Sequence, residues 1–171
     1  ETLRSLETRG HPYKGVSAGR ADWAKGLRIP EAAKLREVDL LYWVGCAGAF
    51  DERGQQVTRA MAQVLEAAGL EFAILGNEER CTGDPARRIG NEYLFQLLAQ
   101  ENITTLNRYQ VKKIVTACPH CFNTLKHEYP QFGGEFEVVH HSQFLAQLLR
   151  DGHWGIQKRF SGTVSFHDPC Y

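Results

Sequence analysis

Five cysteines carry the chemistry open to this chain: Cys46, Cys81, Cys118, Cys121 and Cys170. Two stand close, in Cys118-Pro119-His120-Cys121, and the other three are far apart. Each lies at or just past the end of an apolar, strand-like run. In a parallel sheet such positions gather along one edge, where ligands bind. Four or more thiols meeting there would form a metal or redox site. Cys118 and Cys121 alone also fit a thioredoxin-like dithiol, in which a helix N-terminus activates the first thiol. A dithiol needs no further cysteines, yet Cys46 and Cys81 fall on the same edge. Thioredoxin-like folds also carry the pair after an early strand, and here it follows the third. Four thiolates could instead hold zinc, but structural zinc sites usually clip small loops with two close pairs. An iron–sulfur cluster is larger than one ion and accepts dispersed ligands. Spacing alone leaves cluster, zinc and dithiol open.

The elements that must position these thiols alternate. Leu40-Leu41-Tyr42-Trp43-Val44-Gly45 reads as a buried strand. A helix follows, with Val57, Ala60, Met61, Val64, Leu65 and Ala68 on one face and Gly69 as its stop. Phe72-Ala73-Ile74-Leu75 is a second strand. Asp84-Pro85 opens the next helix, with Asp84 as N-cap, carrying Ile89, Tyr93, Leu94, Leu97 and Leu98. Lys113-Ile114-Val115-Thr116-Ala117 is a third strand leading into Cys118, and a short helix follows to near Pro130. Phe136-Glu137-Val138-Val139-His140 is a fourth strand. Ser142 to Arg150 is a helix burying Phe144, Leu145, Leu148 and Leu149. Thr163-Val164-Ser165-Phe166 is a fifth strand that delivers Cys170. The pattern predicts an α/β fold: a three-layer, Rossmann-like domain with a mostly parallel sheet covered on both faces. Right-handed crossovers then put the strand-to-helix loops on one edge.

Composition excludes several classes. The chain has 171 residues, enough for one domain with an extension, and 20 basic residues against 20 acidic ones. No basic face points to nucleic acid and no acidic tail is visible. Leu40 to Phe50 is the longest uncharged stretch and falls short of the roughly 20 residues a bilayer span needs. No signal peptide is visible. The chain starts at Glu1 and stops at Tyr171, directly after a cysteine, which reads as a fragment. An odd cysteine count without secretory features argues for a reducing, cytoplasmic compartment. Residues 1–37, broken by His11-Pro12, Gly15, Gly19 and Gly26, read as an extension anchored by Trp23.

Three segments together carry a family resemblance: Gly45-Cys46, then Glu79-Arg80-Cys81-Thr82-Gly83-Asp84-Pro85-Ala86-Arg87-Arg88, then Cys118-Pro119-His120-Cys121. They resemble the cysteine-rich CCG domain of heterodisulfide reductase B and D subunits. That domain also occurs in iron–sulfur subunits of glycolate and lactate oxidases and in related membrane-associated oxidoreductases. The family pattern is a lone cysteine, then Cys-Cys-Gly, then Cys-x-x-Cys, usually in two copies. The resemblance covers residues 38–150. His167-Asp168-Pro169-Cys170-Tyr171 resembles the opening of a second copy. Arg9-Gly10-His11-Pro12 with Trp23 resembles the linker after a ferredoxin-like module. The implied organisation is a linker over 1–37, a first CCG domain over 38–160 and the start of a second over 161–171.

The resemblance implies an iron–sulfur oxidoreductase that relays electrons. Its partners would be a flavoprotein or hydroxy-acid oxidase, ferredoxin-like clusters, and a quinone-reducing partner at the cytoplasmic face of a membrane. It implies Cys46, Cys81, Cys118 and Cys121 as cluster ligands, with Cys170 in this site or a second one. Gly45 and Gly83 would let the backbone approach the cluster. One departure matters: the family's doubled cysteine is Cys81-Thr82 here. Threonine is a poor substitute for a thiolate, so four thiolates remain, which suit a cubane [4Fe–4S] centre rather than a disulfide-cleaving non-cubane one. Arg80, Arg87 and Arg88 would stabilise the reduced state. His120, His140, His141 and His167 stand on or near the site edge, most simply as packed or exposed histidines.

Overall fold

The computed structural model describes residues 1–13, 19–152, 155, 158 and 160–167. Gly15 and the segment Asp168-Pro169-Cys170-Tyr171 lie outside the described residues, and with them the expectation that Cys170 is a ligand.

In chain order the elements are α1 (Thr2–Arg9), β1 (Leu40–Trp43), α2 (Gly45–Phe50), α3 (Glu52–Ala67), α4 (Asp84–Arg88), α5 (Glu92–Arg108), β2 (Lys113–Thr116), α6 (Pro119–Asn123), β3 (Glu137–His140) and α7 (His141–Arg150). The strands form a parallel sheet in the order β1-β2-β3. Their C-terminal ends are in register, with Trp43 beside Thr116 and Thr116 beside His140. The loops leaving β1, β2 and β3 therefore open on one edge. On the far side of β1, Ala73 bridges Leu41 in parallel, and Ile74 bridges Glu31. The expected second strand is thus a short extended bridge, and the N-terminal segment lines its outer side.

Strand alternation divides the core into two layers. Leu41, Trp43, Leu75 and Ile114 face Leu6 of α1 and Leu94, Phe95 and Leu98 of α5. Leu40, Tyr42, Ile74 and Val115 face Trp23, Met61 and Leu65 of α3, and Phe144 of α7. The fold is α/β with helices on both sheet faces. Trp23 is buried and meets Tyr42 edge-on at 6.3 Å, so it anchors residues of the N-terminal segment as expected. That segment is folded onto the body throughout its described length, with Leu6 and Ala32 fully buried.

Local chemistry explains the helix boundaries. Asp51 caps α3 by accepting the Gly54 N–H at 2.7 Å, and Asn91 caps α5 by accepting the Leu94 N–H at 3.0 Å. Several expectations need correction. The single helix expected from Asp84 is two, because Gly90 takes φ +88 and breaks the run. Gly83, not Asp84, occupies the cap position there, and Asp84 is the first residue of α4. The buried face of α3 is Thr58, Met61, Ala62 and Leu65, so Val57 and Ala60 point outward. Ile89, Tyr93 and Leu97 are exposed, while Phe95, Ala99, Asn102, Ile103 and Leu106 are buried. The last turns before Phe132 include a π-helical segment, Thr124–Glu128. Thr163–Phe166 forms no strand, and Val164 and Phe166 are exposed. A strand exists only as part of a hydrogen-bonded ladder, and these residues find no partner strand among the described residues.

Neighbouring positions on α5 make the core assignment testable. Leu94→Ala should cost about 2–5 kcal/mol of stability. Tyr93→Ala should stay within roughly 0.5 kcal/mol. Urea denaturation of both variants checks the pair, and equal losses would contradict the α5 orientation.

Candidate metal centre

The four thiols arrive from three loops, and each is held there by a specific contact. Cys46 stands in the first turn of α2, three residues past the end of β1. The turn into it requires Gly45 at φ +75, and the Gly45 N–H donates to Glu79 Oε1 at 2.8 Å. A Cβ on Gly45 would stand 3.2 Å from Cys121 Sγ and 3.7 Å from Cys118 Cβ, so the glycine leaves room for the thiols. Cys118 follows β2, where its N–H donates to Thr116 Oγ1 at 3.3 Å. Cys121 lies one helical turn further along α6 and is buried.

Cys81 sits in a loop with little regular structure, so side chains hold it. Its N–H donates to the Gly10 carbonyl at 2.8 Å. Asn102, fully buried in α5, donates to the Cys81 carbonyl at 3.0 Å and accepts the Arg80 N–H at 3.2 Å. Tyr129 donates to the Thr82 carbonyl at 3.1 Å, and Asn102 also reaches its hydroxyl. Gly83 packs closely against α5. A Cβ there would collide with Phe95, so its lack of a side chain serves helix packing, while its N–H bonds toward the Cys81 sulfur.

A buried ion pair ties these pieces together. Glu79 is almost fully enclosed and accepts the N–H groups of Val44 and Gly45 and the Arg20 guanidinium at 3.0 Å. Arg20 in turn donates to Cys46 Sγ at 3.3 Å and reaches the Gly10 carbonyl at 3.4 Å. Its guanidinium also lies 5.2 Å from the Phe50 ring centroid. Burial works against the Arg20 charge, but Cys46 and Glu79 outweigh it and push its pKa up.

The thiols form two hydrogen-bonded pairs, Cys46 with Cys81 and Cys118 with Cys121, and the field of the first pair reaches Cys121. Cys81 and Cys121 belong to the buried apolar cluster that also holds Leu6, Trp43, Leu125 and Tyr129, and Cys46 and Cys118 pack against it. The hydrogen bond from Cys121 and the N–H groups of Cys121 and His120 bring the Cys118 thiol down to about 6. The bond from Cys81, together with Arg20, lowers Cys46 against the effect of burial. Their partners move the other way: hydrogen bonding to the thiolate and burial push Cys81 and Cys121 up. Sulfur ligands with N–H donors aimed at them, in a low-dielectric pocket, suit a thiolate-bound metal centre. Among the described residues no three His, Cys, Asp or Glu side chains are arranged to hold a metal ion.

The secondary candidates resolve into structural roles. Arg87 pairs with Glu128 at 3.0 Å and Glu92 at 3.1 Å, and Arg88 with Asp84 at 3.1 Å and with Glu128. Arg80 lies near Glu101 at 3.9 Å. Arg20, which sequence reasoning missed, donates to a thiol. His120 Nδ1 meets Asp84 Oδ2 at 3.0 Å, and a carboxylate only accepts, so Nδ1 carries the proton. His140 caps α7 and its Nε2 lies 3.3 Å from the Ala117 carbonyl, just before Cys118. His141 packs on His140 at 4.4 Å. His167 lines a cavity of about 660 Å³ with both of them, Phe122 and Pro119.

Residues 40–126 match the cysteine-rich domain family CCG. Over 99% of its length the chain is 42% identical to the probable iron-sulfur-binding oxidoreductase FadF of Bacillus subtilis, covering 25% of that protein. It is 41% identical over 98% of its length to the EtfAB:quinone oxidoreductase of Syntrophomonas wolfei, covering 24%. A component of the dihydromethanophenazine:CoB–CoM heterodisulfide reductase of Methanosarcina mazei is 32% identical over 94% of the chain, which covers 39% of it. The chain thus spans about a quarter of the length of the first two relatives. No solved structure matches. No helix among the described residues is long and apolar enough to cross a membrane.

The lowered Cys118 thiol is testable in metal-free, reduced protein. Its alkylation by iodoacetamide should rise through a midpoint near pH 6 and precede that of Cys121, as peptide mapping would read. A midpoint at or above pH 8.5 would contradict the hydrogen bonding around it. Asn102→Ala should destabilise by about 1–3 kcal/mol for each buried group left unpaired, measured by thermal or urea unfolding.

Proposed function

This chain belongs to the cysteine-rich CCG domain family, and on that premise we propose that it is an iron–sulfur electron-transfer domain of an oxidoreductase. In this reading Cys46, Cys81, Cys118 and Cys121 hold a [4Fe–4S] cluster. The observation that carries it is the meeting of four thiols from three separate loops at one buried apolar cluster. Zinc with four sulfurs at about 2.3 Å needs one closed tetrahedron. Ligands that come singly from dispersed loops, with one close pair, suit a larger centre better. Thr82, in place of the family's second cysteine, is buried with its carbonyl bound to Tyr129, which favours four thiolate ligands and an ordinary cubane. Cys170 would belong to the opening of a second copy of the domain.

The cluster would supply one-electron chemistry. The chain would hold it, keep water from its buried side, and aim N–H dipoles at its sulfurs. The names of the relatives, an iron-sulfur-binding oxidoreductase and an EtfAB:quinone oxidoreductase, support a parent that passes electrons to a quinone or another centre. In this reading a flavoprotein would be the donor and a membrane the place. Residues 1–37 would lead in from a ferredoxin-like module of that parent.

The half-exposed Cys118, held near 6 beside the buried, raised Cys121, also favours a second reading as a thiol–disulfide oxidoreductase. Cys46→Ala separates the two: it would leave dithiol activity intact and cripple cluster binding.

Iron, zinc and acid-labile sulfide, counted per chain in anaerobically purified full-length protein, test the proposal. The Cys118→Ser/Cys121→Ser double variant should lose about four iron and four sulfide relative to the parent. Loss of one zinc with iron unchanged would make this a structural zinc module.

A further inference from the structure

We infer that Arg20, brought to the site by the N-terminal segment, sets the reduction potential of the centre by donating directly to a ligand sulfur. The inference deepens the cluster reading and rests on it. Arg20 is buried and has its guanidinium held on three sides, by Glu79, the Gly10 carbonyl and the face of Phe50. The Nη2 that reaches the Gly10 carbonyl also donates to Cys46 Sγ at 3.3 Å. A fixed, desolvated cation on a ligand sulfur stabilises whichever state of the centre carries more negative charge. That is the reduced state: one electron, taken from the donor centre and passed on to the acceptor, adds one negative charge while it resides here. Arg20 therefore raises the potential. Glu79 holds the opposite charge on the same guanidinium and tempers it. Exposed arginines could not do this as well, because water screens them. Arg80 is half-exposed, and Arg87 and Arg88 are turned to carboxylates.

Arg20 is thus a positioning residue for the centre, and its test separates field from scaffold. The midpoint potential would be read by EPR-monitored titration of the full-length protein. The signal assigned to this site is the one missing from the Cys118→Ser/Cys121→Ser variant. Arg20→Gln should lower that potential. Arg20→Lys, which keeps the charge and loses the planar fork, should lower it less. Glu79→Gln should raise it, each potential being read on the cluster retained, with iron and sulfide counted per chain. Potentials that stay at the parent value while the cluster is retained would overturn the inference alone. So would loss of iron from all three variants, since Arg20 and Glu79 would then be scaffold only. If Arg20→Gln fails to load, the opposed shifts of Arg20→Lys and Glu79→Gln decide. A double cysteine variant that loses no iron would remove both the cluster reading and this inference.

Discussion

The Glu79 carboxylate lies almost out of solvent, and four things depend on how it is neutralised: the turn after β1, the Cys81 loop, the N-terminal segment and the Cys46 thiol. Burying a carboxylate costs several kcal/mol unless donors surround it. Here two backbone N–H groups and one guanidinium do so. The donors come from the start of α2 and from residue 20, while the acceptor sits two residues before Cys81. Satisfying one buried charge therefore fixes the relative positions of two thiols and of the chain that shields them. Removing either partner would leave the other buried and uncompensated, which is the costly half of the arithmetic. Specificity of place, more than net stability, is what such a pair contributes.

The second thiol pair is held differently. Cys118 and Cys121 stand on the first turn of α6, directly after a strand in the middle of the sheet, and backbone geometry alone brings them together. Cys81 has no such help. Its loop depends on Asn102 and Tyr129, which answer its backbone groups from beneath, in an otherwise apolar layer. The π-helical turn at 124–128 belongs to this support. It ends next to Tyr129 and carries Glu128, which takes both Arg87 and Arg88. Wide turns of this kind recur where a helix must serve a site rather than its own regularity.

Much of this was legible in the residues. Continuous apolar runs ending in cysteines are enough to read parallel strands and one common edge, because in a parallel sheet strand direction and loop side are linked. What escaped did so for definable reasons. Arg20 lies in a stretch without periodicity, and its partner is 59 residues away. Asn102 belongs to no motif and no apolar stripe, yet it is fully buried in α5. Ile89, Tyr93 and Leu97 fit a helical stripe, but the break at Gly90 and the burial of Phe95 turn that stripe outward. Thr163–Phe166 has strand chemistry without a neighbour to pair with. The expected fifth strand failed because pairing is not a local property.

The bond from the Cys81 N–H to the Gly10 carbonyl has a kinetic side. It joins the first helix of the chain to a loop that cannot be reached until β1, α2 and α3 have been made and folded past it. Contacts of such long sequence separation bear a loop-closure cost that is recovered only late, and they slow folding accordingly. Gly10 is synthesised before Cys81 and must wait for it. Cys118 and Cys121, in contrast, are adjacent as soon as one helical turn forms. The site is therefore half assembled by local structure early on, and it closes only when Gly10 docks on the Cys81 loop.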